Sequence, residues 1–241
     1  GGFFVTAAAN ALNQVLEKDY DKLMTRTENR PLAAGRMSVS EAVLLSGFMS
    51  LVGITILALF NPWASFFGML ALVLYAFVYT PFKRIGPVAV VIGAVPGALP
   101  VLIGAVAVDA RISGLALLLF GIQFFWQFPH FWAIGWLGHE DYSKAGYKLF
   151  PSKDGKPDSN AGLQSFIYSL FLIPMCFGLY FMGLGSLAAG FVTLALTLGY
   201  AVLSWNFYSQ SDRSSALKLM FYSFVYLPLV LITFFIDKIF I

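Results

Sequence analysis

Apolar residues run through the chain in blocks of about twenty, separated by short polar stretches, as in helices that cross a bilayer. Blocks of this kind fall near residues 3 to 17, 41 to 60, 63 to 80, 87 to 108, 113 to 137, 162 to 183, 186 to 206 and 217 to 236. Gly and Pro interrupt several of them, which packed membrane helices tolerate. The pattern predicts an all-α, polytopic transmembrane helical bundle, eight spans in this chain, with residues 1 to 241 forming one integral-membrane domain. Composition agrees, because a chain that is 59% hydrophobic, with mean hydropathy +0.79 and 25 Phe, carries too much apolar surface for one water-soluble globule. The start at Gly1 and Gly2 and the short first block lead us to expect a preceding N-terminal segment. No n-region and h-region pattern of a signal peptide is present. The single Cys176 leaves the redox compartment open.

Charge changes this picture. If the spans alternate in direction, all of the 15 Lys and Arg except Arg111 and Lys238 fall on one face: Lys18, Lys22, Arg26, Arg30, Arg36, Lys83, Arg84, Lys144, Lys148, Lys153, Lys156, Arg213 and Lys218. Basic residues near span ends mark the cytoplasmic side, so the charged loops are expected in the cytoplasm, and a bacterial plasma membrane suits that asymmetry. The 12 acids follow the same split, with only Asp109 and Asp237 opposite. Both signs crowd one face, which solvation alone does not require. The net charge of +3 averages an ionic face with a nearly neutral one. The lipid bilayer is the expected partner, and no nucleic acid is.

The densest charge lies in NQVLEKDYDKLMTRTENRPL, residues 13 to 32. At about 100° per residue, Asn10, Asn13, Glu17, Asp21 and Met24 fall within one arc of about 80°, while Asp19 points elsewhere. Two carboxylates and two amides would then share a stripe at the end of a span. Such an oxygen-rich stripe suits Mg²⁺, a hard cation often shared with substrate phosphates. The competing reading is a solvated helix end with acids and bases paired at i, i+4 spacing. Arg26, Arg30 and Arg36 follow, and guanidinium groups bind phosphate oxygens bidentately. Acids on one side and arginines on the other would hold a magnesium diphosphate, although basic loops also retain membrane orientation without binding anything.

These residues carry a resemblance. Asn13, Glu17, Asp19, Asp21, Met24, Arg26, Thr27, Arg30, Pro31 and Leu32 resemble the first signature of the UbiA superfamily of intramembrane prenyltransferases, and more closely its heme O synthase branch. That superfamily's motif is N-D-x-x-D-x-x-x-D; Gln14 stands at its first acid, Glu17 at its second and Asp21 at its last. Tyr79 and Lys83 of YTPFKR are similar to the family's Tyr-x-x-x-Lys element beside the diphosphate, though Tyr and Lys also serve as ordinary interfacial anchors. QFFWQFPHFWAIGWLGHEDYSKAGYKLFP, residues 123 to 151, resembles the branch pattern P-H-F-W-A followed by E-D-Y and A-G. His130 there stands where quinone-type relatives carry an acid.

A histidine after Pro129 among Phe and Trp could offer its imidazole to iron while aromatics cover a flat macrocycle, or simply pack. His139 is read as interfacial or as the alternative axial ligand. The segment GPVAVVIGAVPGALPVLIGAVAV, residues 86 to 108, combines small residues for close helix packing with bends expected at Pro96 and Pro100.

The resemblance implies a nine-helix fold, with one span preceding this chain, and farnesyl transfer from farnesyl diphosphate to a vinyl group of heme b. It implies Mg²⁺ on Asn13, Glu17, Asp21, Glu140 and Asp141. Asp21, Lys83, Tyr79 and Arg26 would be catalytic, and Arg30, His130, Trp132, His139 and Lys144 would bind substrate. Heme A synthase or oxidase assembly factors would be partners. Two other readings share parts of this pattern: a prenyltransferase acting on an aromatic quinone precursor, and a non-enzymatic carrier of heme or another anion.

Overall fold

The computed structural model describes residues 1–153 and 155–240; Asp154, Ile241 and the side chain of Lys153 lie outside the described residues. It is almost entirely helical. Helix α1 spans Gly2–Asp21, α2 Val39–Ala58, α3 Pro62–Phe82, α4 Val88–Asp109, α5 Gly114–Leu137 and the short α6 His139–Lys144. A two-residue hairpin follows, β1 Ser152–Lys153 paired antiparallel with β2 Lys156–Pro157. Then come α7 Asn160–Phe181, α8 Leu187–Gln210 and α9 Arg213–Phe240.

Among the described residues, seven helices are long and apolar enough to cross a membrane, one fewer than the eight blocks read from sequence. The missing one is α1. It is a full helix, but Asn10, Asn13, Gln14, Glu17, Lys18, Asp19 and Asp21 dilute its apolar content. Of these, Asn13, Glu17 and Asp21 are buried by packing. Pro96 and Pro100, expected to bend the fourth block, lie inside one continuous helix.

The chain divides into two compact units, Gly1–Ala116 with Gly138–Leu149, and Leu117–Leu137 with Phe150–Ile241. In the first, α2 starts with a capping box: the Ser38 side chain accepts from the Glu41 N–H while the Glu41 carboxylate accepts from the Ser38 N–H. Asn61 caps α3 by accepting from the Ala64 N–H, and its amide donates to the Val106 carbonyl at 2.8 Å, fixing the start of α3 against the end of α4. Near its other end α3 widens to π-helical geometry over Leu74–Tyr79. Pro81 explains this: it has no N–H to donate and its ring crowds the carbonyl four residues back, so the preceding turn loosens. Both the N–H and the hydroxyl of Thr80 then donate to the Tyr75 carbonyl.

In the second unit α7 is interrupted by a 3₁₀ turn at Pro174–Phe177. Phe128 of α5 stacks on Tyr168 of α7 at 3.8 Å between centroids and 7° between planes. Helices α7 and α8 approach so closely at Gly162 that a Cβ there would stand 2.4 Å from Tyr208 Cα. Because that neighbour is backbone, Gly162→Ala forces the helices apart. We expect a loss of about 1–3 kcal/mol, measured as a lower unfolding temperature in detergent, with no loss if the helices separate freely.

Candidate functional site

The polar stripe of α1 is buried. Asn13, Glu17 and Asp21 are inward, at 4%, 4% and 1% exposure, whereas Asp19 is solvent-exposed and paired with Lys22 at 3.0 Å. Asn10 shares their arc but is exposed, since burial also needs a neighbouring element at the same height along the helix. For Asn13 that neighbour is α3: its amide donates to Thr80 Oγ1 and to Glu17 Oε2, both at 2.9 Å.

Each buried carboxylate has a cation. Arg30 Nη1 donates to both oxygens of Asp21 at 2.9 Å. It can reach back because the chain after α1 turns tightly, with the Thr27 hydroxyl donating to the Asp21 carbonyl at 2.9 Å. Lys83, just past the end of α3, donates to Glu17 Oε2 at 3.1 Å. Its Nζ also lies 3.0 Å from Glu17 Oε1, but out of line for a hydrogen bond, which leaves that buried oxygen without one. Lys83 Nζ sits over the Tyr79 ring at 4.7 Å. Burial pulls the Lys83 ammonium pKa below the ordinary lysine value, against the opposing pull of Glu17.

Around these groups lies a cavity of about 170 Å³. Asn13, Glu17 and Asp21 line it from α1, Tyr75 and Tyr79 from α3, and Met24, Arg26, Arg30 and Lys83 from the segments that follow these helices. Arg26 is exposed at its edge. The π-helical turn carries both tyrosines of this wall. Tyr79 is seated on Gly93 of α4, where a Cβ would stand 2.6 Å from its ring. Gly93→Ala must therefore push the Tyr79 ring, and with it the surface under Lys83. We expect about tenfold weaker binding of inorganic diphosphate, the magnitude of a disturbed hydrogen bond to a charged group, with little change in fold stability, read by calorimetry and thermal unfolding; unchanged binding counts against Tyr79 as part of the binding wall.

The segment around α6 contributes differently from the sequence expectation. Tyr142, Tyr147 and Leu149 line the cavity. Glu140 is exposed, and Asp141 lies 3.7 Å from Lys144, itself exposed. His139 is partly buried at the first position of α6. Among the described residues no three His, Cys, Asp or Glu side chains converge as a metal cage. The oxygen donors Asn13, Glu17 and Asp21 nevertheless fit Mg²⁺ in its usual form, where the protein gives one or two carboxylates and phosphates and water complete the octahedron. The Glu17 oxygen without a hydrogen bond is an open donor of that kind. Tyr75 and Tyr147 were missed by the sequence reading, and Tyr142 entered it only as the last residue of the E-D-Y pattern, without a role. No periodicity marks them, and only a surplus of Tyr near charged span ends could have drawn attention to them.

His130 and Trp132 belong to the second unit. His130 stacks on Trp126, centroids 5.0 Å apart and planes at 15°, and its Nδ1 lies 2.8 Å from Ser223 Oγ. With the Ser223 hydroxyl donating to the Met220 carbonyl, its oxygen can accept from His130 in the Nδ1–H tautomer. That tautomer puts the lone pair on Nε2. Trp132 packs edge-on against Phe150, and its buried indole N–H has no hydrogen-bond partner.

Residues 1–225 match the model of the UbiA prenyltransferase family. The chain is similar to protoheme IX farnesyltransferase of Cytophaga hutchinsonii, 42% identical over 241 residues that span all of this chain and 84% of that protein. Its fold resembles that of a digeranylgeranylglyceryl phosphate synthase, with TM-score 0.78 at 17% identity over 99% of this chain and 83% of the other. It also resembles a UbiA homolog from Archaeoglobus fulgidus solved with GPP and Mg²⁺, with TM-score 0.65 at 17% identity over 93% and 84% of the two chains. By the family match along most of its length and by relatives that share well over a third of its residues, the chain belongs to the UbiA prenyltransferase family, in its protoheme IX farnesyltransferase branch.

Proposed function

We propose that this protein transfers the farnesyl group of farnesyl diphosphate to a vinyl group of heme b, adding water and releasing diphosphate to give heme O. The observation that carries the reading is the cavity in which the buried carboxylates Glu17 and Asp21 face Lys83, Arg30 and Arg26. In it, Arg26, Arg30 and Lys83 bind the diphosphate oxygens, and the Tyr79 hydroxyl donates to them. As the bond between farnesyl C1 and the diphosphate oxygen breaks, its electron pair leaves with that oxygen, and the same cations stabilise the growing charge. The vinyl group supplies the electrons of the new carbon–carbon bond. Water then adds to the resulting cation, losing a proton. The chain needs no serine or cysteine nucleophile for this.

Asn13, Glu17 and Asp21 would hold Mg²⁺, which when bound withdraws charge from the leaving group. Glu140 and Asp141 stay candidates for a second acidic position, and Lys144 and His139 for substrate contacts beside them. His130 offers Nε2 to the heme iron, and Trp132 offers its indole N–H. The enzyme works in a bacterial plasma membrane with its charged loops in the cytoplasm, and its product passes to a heme A synthase or oxidase assembly factor.

The test is mass analysis of heme after incubating membranes containing the protein with heme b, farnesyl diphosphate and Mg²⁺, with a chelated control. A farnesylated, hydrated heme is the expected product. Diphosphate release only with an aromatic acceptor would replace heme by a quinone precursor.

A further inference from the structure

Gly146 has φ of +73°, in the left-handed region that favours glycine, and it ends the turn after α6. The chain thereby reverses: the Tyr147 N–H donates to the Tyr142 carbonyl at 2.9 Å, and the next N–H, of Lys148, donates to the Lys83 carbonyl at 2.8 Å. The first bond closes the turn and the second docks the segment on the end of α3, and Tyr147 lines the cavity wall. The ring is held by Tyr20 at 5.9 Å and Tyr142 at 6.3 Å between centroids, and it packs with Met24.

The residue is 7% exposed, yet its hydroxyl has no hydrogen-bond partner. A buried unsatisfied hydroxyl in a native structure calls for an explanation. Here it lines a cavity with room for several water molecules at about 30 Å³ each. The Glu17 carboxylate acts on it both by charge and as a side-chain acceptor, yet no bond of normal hydrogen-bond geometry forms, and Glu17 Oε1 lacks one as well. Donors elsewhere around the space include Arg26, Arg30, Lys83, Tyr75, Tyr79 and Tyr142. Donors outnumber acceptors, so the cavity is built for a ligand that presents acceptor oxygens.

We infer that Tyr147 is a further substrate-binding residue, whose hydroxyl donates a hydrogen bond to an oxygen of the diphosphate in this cavity. The inference rests on reading the cavity as the prenyl diphosphate site. It gives the loop after α6 a function through a phenol, in addition to whatever its acids do.

The test uses the full chain in detergent, with Tyr147→Phe, which keeps the ring. Affinity for inorganic diphosphate with Mg²⁺ is measured by calorimetry, and KM and kcat for farnesyl diphosphate are measured in heme O formation. The expected result is about tenfold weaker diphosphate binding and a matching rise in KM, as for loss of a hydrogen bond to a charged group. Heme affinity stays the same, and the unfolding temperature of the free protein is unchanged or higher, because the hydroxyl removed has no partner there. Equal diphosphate affinity in the variant and the original protein overturns the inference while leaving the cavity reading in place. A lower unfolding temperature with parallel loss of heme affinity also overturns it, as a structural role. If the unaltered protein binds no diphosphate with Mg²⁺, the cavity reading and the inference fall together.

Discussion

Asp21→Ala lowers heme O formation by about a thousandfold or more while heme binding persists. Asp21 is 1% exposed, holds Arg30 through both oxygens, and lines the cavity beside Glu17. Its loss removes one of the proposed metal donors and also frees Arg30 from its fixed position. Loss of one preorganised electrostatic contact commonly costs about 10²–10³ in rate, and here two contacts go together. The proposed heme contacts His130 and Trp132 belong to the other unit, so the heme absorption spectrum on titration is expected to match that of the unaltered protein. Asp21→Asn is the informative companion: its amide oxygen can still accept from Arg30, so turnover that stays low assigns the loss to the missing charge. Normal turnover in either variant would sink the metal assignment.

Lys83→Met is expected to unfold at a markedly lower temperature and to lose most of its diphosphate affinity. The substitution preserves much of the aliphatic stem but leaves Glu17, 4% exposed, without its cation. Breaking one side of a buried pair costs about 3–5 kcal/mol, largely from the charge left behind. Adding Glu17→Gln removes that stranded charge. The double variant should therefore recover most of the stability and none of the turnover, and the coupling between the two sites can be read from a double-mutant cycle. Recovery of both would show that the pair only holds the structure together.

What the sequence disclosed follows from periodicity. Apolar blocks of span length and the α1 arc of Asn13, Glu17 and Asp21 are local patterns, and both reappear in the structure. Asn10 shows the limit of an angular argument, since a helical wheel specifies direction but not whether another helix stands there. The pairing of Glu17 with Lys83 joins positions 66 residues apart, which no local pattern encodes; the family resemblance placed both at the diphosphate, but not against each other. Tyr147 was hidden for another reason. It lies in a loop, and its direction depends on the backbone of Gly146 and on a hydrogen bond to the carbonyl of Lys83. The acids Glu140 and Asp141 drew attention by type, whereas the structure brings the tyrosines of the same segment to the cavity.

The internal pairing of Asp21 with Arg30 and of Glu17 with Lys83 also bears on how such a chain can be made. Carboxylates buried at the edge of a bilayer would oppose insertion and folding if they had to await a metal from solution. With their counter-ions encoded in the same polypeptide, the empty protein carries no stranded anion, so it can be assembled first and charged with substrate later. On the proposed reading, Glu17 and Asp21 would hold the metal of a magnesium diphosphate, and Arg30 and Lys83, freed from them, would bind its phosphates. Affinity in such an exchange depends on the difference between two sets of ion pairs, which lets a deeply charged site release its diphosphate product.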